Sequence, residues 1–205
     1  MARHVWSLAE VADAVGPAAN VRNYLEQRDV RRCLATAATI KPIRRACDVG
    51  CGYGRLTMVL SEFAESVSGF EREEAFVREA SRLLPRIAFE RVASLDRLPR
   101  PTASFDFAMT FTVLQHLGDQ EARGAIAEIK RIAAGACVLL TEETDPDLED
   151  GERGGLGAGL TVGRPVATYV EWMKPFGLRL EFRREIEPGY PRPDVGTYML
   201  FADAP

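Results

Sequence analysis

Cysteine and histidine are both scarce. The four cysteines, Cys33, Cys47, Cys51 and Cys137, include no second closely spaced pair, and the chain's two histidines supply no histidine pair to join them. That excludes a metal-ligand set and a disulfide framework, and no metal is expected; the thiols read as small apolar packing residues in a reducing cytoplasm. Long hydrophobic runs are missing too. Nothing approaches the ~20 apolar residues that a membrane span needs, and no basic segment followed by an apolar core opens the chain. Neither a membrane nor secretion is therefore expected. Positive charge is not in excess: 26 Lys and Arg face 30 Asp and Glu, for a net charge of -4. A nucleic-acid partner would favour a basic face. The one basic group, Arg31, Arg32, Lys41, Arg44 and Arg45, reads as a solvated surface. No internal repeat is present.

What is there suits one α/β domain. The 205 residues are 46% apolar and 27% charged, enough for a real core. Residues 1–40 read as a helical cap. Leu8, Val11 and Val15 keep helical spacing up to Gly16-Pro17, and Asn20 offers an N-cap for a second helix carrying Val21, Tyr24, Leu25 and Leu34. From residue 41 strands and helices alternate. Strands are expected over 45–50, 66–71, 87–93, 105–111 and 136–141, with helices over 56–63, 73–84 and 119–133. This is the pattern of βαβ units and a parallel sheet. Residues 145–165 lose hydrophobic periodicity and gain glycine, and read as a flexible loop on the substrate side. A short helix over 167–174 and strands over 178–186 and 197–202 follow. The turn-rich connection at 187–194 suits a hairpin return, so the last strand is expected to run antiparallel.

The chemistry concentrates in Cys47-Asp48-Val49-Gly50-Cys51-Gly52-Tyr53-Gly54-Arg55-Leu56-Thr57. An apolar strand ends in three alternating glycines, and a helical pattern begins at once. Glycine adopts positive φ and lets a ligand approach where a Cβ would clash. A helix start there favours an anionic group. Glu71, at the end of the next strand, is placed to accept from a ribose diol. The layout suits a nucleoside-containing cofactor lying across the carboxyl ends of parallel strands. Arg55 stands where a dinucleotide fingerprint would want glycine or alanine, which weakens a pyrophosphate reading.

These residues resemble the class I S-adenosylmethionine-dependent methyltransferases over about residues 44–142. The glycine segment is similar to the family's first motif and Gly69-Phe70-Glu71 to its ribose-binding strand end. Leu98-Pro99 with Ser104-Phe105-Asp106 resembles its approach to the fourth strand, and Val113-Leu114-Gln115-His116-Leu117 the segment after it. The resemblance implies a Rossmann-like, seven-stranded, mostly parallel sheet with an antiparallel last strand and helices on both faces. It implies S-adenosylmethionine as cofactor and S-adenosylhomocysteine as product. Asp48, Gly50, Cys51, Gly52, Gly54 and Arg55 would belong to the cofactor site, the glycines lining the methionine portion. Glu71 would hold the ribose, Arg72 would border the adenine, and Thr110 and Phe111 would border the sulfonium. The family often has Asp where this chain has Ser94, so Ser94, the Leu95 backbone or Asp96 would meet the adenine.

His116 is the leading candidate base, and Glu142 with Glu143 stands at the active edge, able to orient a substrate. Tyr24, Tyr169 and Trp172 are candidate pocket aromatics for which packing is the plainer use. The function expected is methyl transfer to an O or N nucleophile of a small molecule by a monomer or homodimer. The alternatives are an NAD(P)-dependent oxidoreductase and a module that binds the cofactor without turnover.

Overall fold

In the computed structural model the described residues are 17–133, 135–145, 161–185 and 196–203. Helix α1 (Pro17–Ile40) leads into β1 (Arg45–Val49), α2 (Arg55–Leu60), β2 (Ser66–Glu71), α3 (Glu74–Leu83) and β3 (Ala88–Arg91). Then come β4 (Phe107–Phe111), a 3₁₀ turn (Leu114–His116), α4 (Asp119–Ile132), β5 (Cys137–Glu142), α5 (Val166–Met173), β6 (Leu178–Glu185) and β7 (Thr197–Asp203). The strands form one sheet in the order β3-β2-β1-β4-β5-β7-β6. All neighbours pair parallel except β7, which runs antiparallel to both β5 and β6. The expected Rossmann-like sheet with its reversed last strand is thus present.

Period-two alternation along the strands builds two cores, one on each face. Cys47, Val49, Ala108, Val138 and Leu140 point to one side, where Ile126 and Ile129 of α4 and Tyr169 and Trp172 of α5 cover them. Ala46, Phe107, Met109, Cys137 and Leu139 point to the other, beneath Val30 and Leu34 of α1 and Leu56 and Leu60 of α2. The central strands read as near-continuous apolar runs because both faces are buried. Tyr169 and Trp172 meet edge to face at 5.7 Å between centroids inside the first core. Tyr24 is 66% exposed. All four cysteines are buried free thiols.

Two sequence expectations shift. Helix α1 begins at Pro17, not after Asn20, because proline is well suited to a first helical turn, where its missing N–H costs nothing. Of the glycine-rich stretch, residues 146–160 lie outside the described residues; within 161–165, Thr161 and Arg164 are buried. The connection over 187–194 also lies outside the described residues.

The sheet order places the topological switch between β1 and β4, whose chain connections leave in opposite directions. A crevice opens there at the carboxyl ends of the strands, and the glycine turn, Glu71 and the segment after β4 all converge on it.

Candidate active site

The crevice holds a cleft of about 230 Å³. Its lining comes from the end of β1 and the glycine turn (Asp48, Gly50, Cys51, Gly52, Arg55), from β2 and the chain after it (Glu71, Arg72, Phe76, Leu95), from β4 and the turn that follows (Phe111, Thr112, Val113, His116), and from Arg22 of α1.

Gly50, Gly52 and Gly54 all take positive φ, at 77°, 54° and 86°, yet they serve different purposes. A Cβ on Gly50 would come within 2.5 Å of Val113, and one on Gly54 within 2.9 Å of both Leu84 and Phe89. Those two glycines let neighbouring side chains close against the turn. At Gly52 a Cβ would meet nothing within 4 Å, so the bare backbone there leaves open space at the cleft wall.

Glu71 is buried and held by the main chain. Gly52 N–H donates to its Oε2 at 2.9 Å, and the Arg72 and Glu73 N–H groups donate to Oε1 at 2.6 and 3.0 Å. A carboxylate offers about four acceptor positions, so Oε2 retains one that a ligand hydroxyl can fill. Asp48 lies beneath the turn, where the Thr57 hydroxyl donates to its Oδ2 at 2.6 Å. Burial pushes the Asp48 carboxyl up to about 7; the like charge of Glu71 adds to this, and the Thr57 hydrogen bond opposes it.

Helix α2 is only six residues long, so positive charge at this end of the cleft comes from side chains more than from a helix dipole. The Arg55 guanidinium lies 5.6 Å from the Phe111 ring centroid. Its Nη1 donates to Asn23 Oδ1 at 3.0 Å and pairs with Glu26 Oε2 at 2.5 Å, which ties the turn to α1.

Beyond β4 the backbone is strained. Thr112 has φ 53°, a left-handed conformation that a β-branched residue rarely takes and that concentrates at functional sites. Two buried charged side chains hold the segment that follows. Glu142 accepts from Thr110 Oγ1 at 2.9 Å, Val113 N–H at 3.4 Å and Gln115 N–H at 3.0 Å. Arg164 donates to the carbonyls of Leu114 and Leu117 at 2.9 and 2.6 Å and to Asp119 Oδ1 at 2.9 Å. A carboxylate therefore serves the N–H end of the 3₁₀ turn and a guanidinium its carbonyl end, the arrangement that a helix dipole favours. His116 sits on this turn and lines the cleft.

The structure thus brings Asp48, Gly50, Cys51, Gly52, Arg55, Glu71, Arg72, Leu95, Phe111 and His116 to one cleft. It places Gly54, Ser94, Thr110 and Glu142 outside the lining. Ser94 donates to Asp96 Oδ1, and Thr110 is engaged with Glu142. Glu142 is fully buried; burial pushes its carboxyl up to about 7, against the hydrogen bonds it accepts. Glu143 is buried as well, its backbone N–H donating to Gln115 Oε1 at 2.9 Å. Four residues at or behind the cleft escaped the sequence reading: Arg22, Phe76 and Thr112 carry no motif, and Arg164 stands in a glycine-rich stretch without periodicity.

An open α/β sheet with an acid-flanked glycine turn at its switch point defines a Rossmann-like architecture. Comparisons with known proteins narrow this. A family model described as a methyltransferase domain matches residues 46–134. A probable S-adenosylmethionine-dependent methyltransferase of Mycolicibacterium smegmatis is 35% identical over 77 residues, 38% of this chain and 30% of that protein. An uncharacterized methyltransferase of Schizosaccharomyces pombe is 28% identical over 155 residues, 67% of this chain and 55% of that protein. The chain therefore spans about a third to a half of these relatives. Among solved structures, magnesium protoporphyrin IX methyltransferase from Synechocystis PCC 6803 with bound S-adenosylhomocysteine superposes with TM-score 0.72 at 18% identity, covering 93% of this chain and 89% of that one. DesVI of Streptomyces venezuelae gives TM-score 0.72 at 18% identity, covering 98% and 100%. The [4+2]-cyclase SpnF gives 0.66 at 17% identity, covering 85% and 80%. Residues 46–134 thus match a methyltransferase domain, and the chain is similar to S-adenosylmethionine-dependent methyltransferases in sequence and to methyltransferases in fold.

Proposed function

We propose that this chain transfers the methyl group of S-adenosylmethionine to an oxygen or nitrogen of a small molecule. One observation carries the cofactor reading. Three backbone N–H groups orient Glu71 beside Gly52, whose backbone leaves the cleft wall open. An adenosyl group needs those two features together: an acceptor for the sugar and bare main chain beneath it.

The residues present fit that cofactor. Oε2 of Glu71 accepts a ribose hydroxyl. Phe76 and Leu95 give apolar walls to the adenine end, with Arg72 at its border. Phe111, Thr112 and His116 bound the opposite end, where a methyl acceptor is received. The bound cofactor supplies a sulfonium-activated methyl group that needs no further activation. The protein's own task is alignment, since holding two partners in line is worth up to about 7–11 kcal/mol. His116 lines the cleft, which supports the reading that it takes a proton from a hydroxyl or ammonium acceptor. Glu142 and Arg164 act through it by fixing the turn on which it sits. The acidic balance of the chain favours a small acceptor over nucleic acid.

A nicotinamide dinucleotide fits less well. Arg55 occupies the position that a pyrophosphate turn leaves bare, and its side chain is committed to Glu26 and Asn23. SpnF, named a [4+2]-cyclase, shows that the sheet alone does not dictate the reaction.

Calorimetry with S-adenosylmethionine, S-adenosylhomocysteine and NAD tests the cofactor. Binding of both sulfur compounds is expected; binding of NAD alone overturns the reading. A labelled-methyl assay over a panel of hydroxylated and aminated metabolites tests turnover. Label should reach at least one of them, and retention of cofactor with no transfer across the panel would favour a binding module.

A further inference from the structure

Glu142 grips the chain on both sides of a strained residue. Its Oε1 accepts from Thr110 Oγ1 at 2.9 Å and from Val113 N–H at 3.4 Å, and its Oε2 from Gln115 N–H at 3.0 Å. Between these donors lies Thr112, held at φ 53° in the lining of the cleft. His116 directly follows the last donor and lines the cleft as well. One carboxylate thus closes a loop around the segment that carries both residues. Gln115 is itself fully buried, its carbonyl accepting from Val162 N–H at 2.7 Å and its Oε1 from Glu143 N–H at 2.9 Å.

The grip depends on charge. An ionised carboxyl group only accepts, whereas a protonated one donates from one oxygen. Oε1 serves two donors and Oε2 one, so Oε2 is the oxygen that takes a proton, and Gln115 N–H then meets an O–H group. Hydrogen bonds to a charged acceptor are also about twice as strong as neutral ones. Donors from residues 110 and 113–115 favour the ionised form and burial opposes them. The titratable and charged groups around Glu142 are otherwise engaged. Arg164, ahead of α5, bonds the carbonyls of Leu114 and Leu117 and Asp119. Glu143 Oε1 accepts from Asp145 N–H at 2.7 Å. Tyr169 of α5 stays neutral, because burial and then the charge of Glu142 push its phenol up. His116, on the turn itself, is the remaining group.

Resting on the methyl-transfer reading above, we propose that Glu142 is a positioning residue whose ionisation locks the part of the cleft wall formed by Thr112 and His116. Ionised, it holds Thr112 in the left-handed region and fixes the turn; protonated, it releases Gln115 and lets Thr112 relax. Methyl transfer then falls in acid for a reason separate from protonation of His116.

Amide NMR of the whole chain from about pH 5.5 to 8.5 tests this. The Val113 and Gln115 N–H signals are expected to move together through one midpoint near pH 7 and to lose hydrogen-exchange protection on its acid side. Glu142→Gln should abolish this shared titration, and His116→Gln should leave it in place. Thr110→Val removes one donor to the carboxylate and should raise the midpoint by about one pH unit. Flat amide signals in the wild type overturn the proposal, as does a titration that persists in Glu142→Gln or vanishes in His116→Gln. Where Glu142→Gln does not fold, Thr110→Val decides: an unmoved midpoint overturns the proposal. With an acceptor from the labelled-methyl panel, the acid limb of the kcat profile should shift upward in Thr110→Val by the same amount, and an unshifted limb overturns the positioning role. Absence of label transfer by the wild type overturns the methyl-transfer reading instead, a result distinct from the amide titration.

Discussion

Gly52→Ala adds one methyl group at φ 54°, with no protein atom within 4 Å of the new Cβ. The fold should feel only the backbone cost. Alanine in the left-handed region costs about 1–2 kcal/mol, and the less flexible unfolded chain offsets up to about 1 kcal/mol of that. A net loss near 1 kcal/mol lowers the melting midpoint of a chain this size by about 2–4 °C. Binding should suffer far more, because the methyl group enters the space that the adenosyl moiety would need. At least a tenfold loss of S-adenosylhomocysteine affinity is expected, about 1.4 kcal/mol or more. Gly54→Ala is the matched control. Its Cβ would press on Leu84 and Phe89 at 2.9 Å, so strain of about 1–3 kcal/mol from overpacking joins the backbone cost. That variant should lose more stability and, where folded, less affinity. The assay is a thermal melt beside calorimetry for each protein. Gly52→Ala that melts a few degrees lower yet binds the ligand as wild type would refute the role given to the bare backbone.

Further expectations come from the same geometry. Glu71→Ala removes the proposed ribose acceptor and should weaken S-adenosylhomocysteine binding by about 1–3 kcal/mol, read by calorimetry; unchanged affinity removes Glu71 from the site. Asp48 and Glu142, both pushed up to about 7 by burial, keep their protons in the folded state between roughly pH 4 and 7, whereas the unfolded chain releases them near pH 4. Folding therefore binds protons in that window, and this contribution to stability falls as pH rises through it and levels off above 7. Melting curves of Asp48→Asn and Glu142→Gln against wild type should show a smaller decline between pH 5 and 7.5, and parallel curves would contradict the assignment. Arg164→Met leaves two carbonyls and Asp119 without their donor and should cost about 2–4 kcal/mol by denaturant titration. A loss under 0.5 kcal/mol would mean that the turn bearing His116 stands without it.

Much of the fold is legible in the sequence because each signal is local. The strand Ser66–Glu71 is bounded as its apolar run suggests, and the other strands and helices fall within a few residues of their expected spans. Parallel strands buried on both faces carry continuous apolar runs, and glycine and proline mark their ends. The turn-rich connection before Thr197 correctly implies the reversed strand. Glu71 and the glycine turn are legible for a related reason: strand, bend and acid lie within 25 residues, and their spacing fixes their geometry. The differing tasks of Gly50, Gly52 and Gly54 are not legible. Those depend on where Val113, Leu84 and Phe89 pack, and all three lie at least 30 residues away from the glycine they touch.

Glu142 shows what kind of signal was present and what kind was not. At the end of a strand an acid reads as solvated, yet alternation along β5 places it on the same face as Val138 and Leu140, which are core residues. That pattern points it inward, but it does not say what a buried carboxylate would find there. The answer is the N–H end of a turn formed by residues 113–115, whose carbonyl end is met by a cation about 50 positions further on. Arg22 is similar: nothing within α1 distinguishes it from Arg28 or Arg32, and only the docking of that helix beside Arg55 and Phe111 brings it to the cleft. Local pattern thus places the part of the cleft made by the glycine turn and Glu71. The part lined by Arg22, Arg55 and His116 is assembled from side chains far apart in the chain, and substitutions at Arg22 or Arg164 should alter it without touching any recognisable motif.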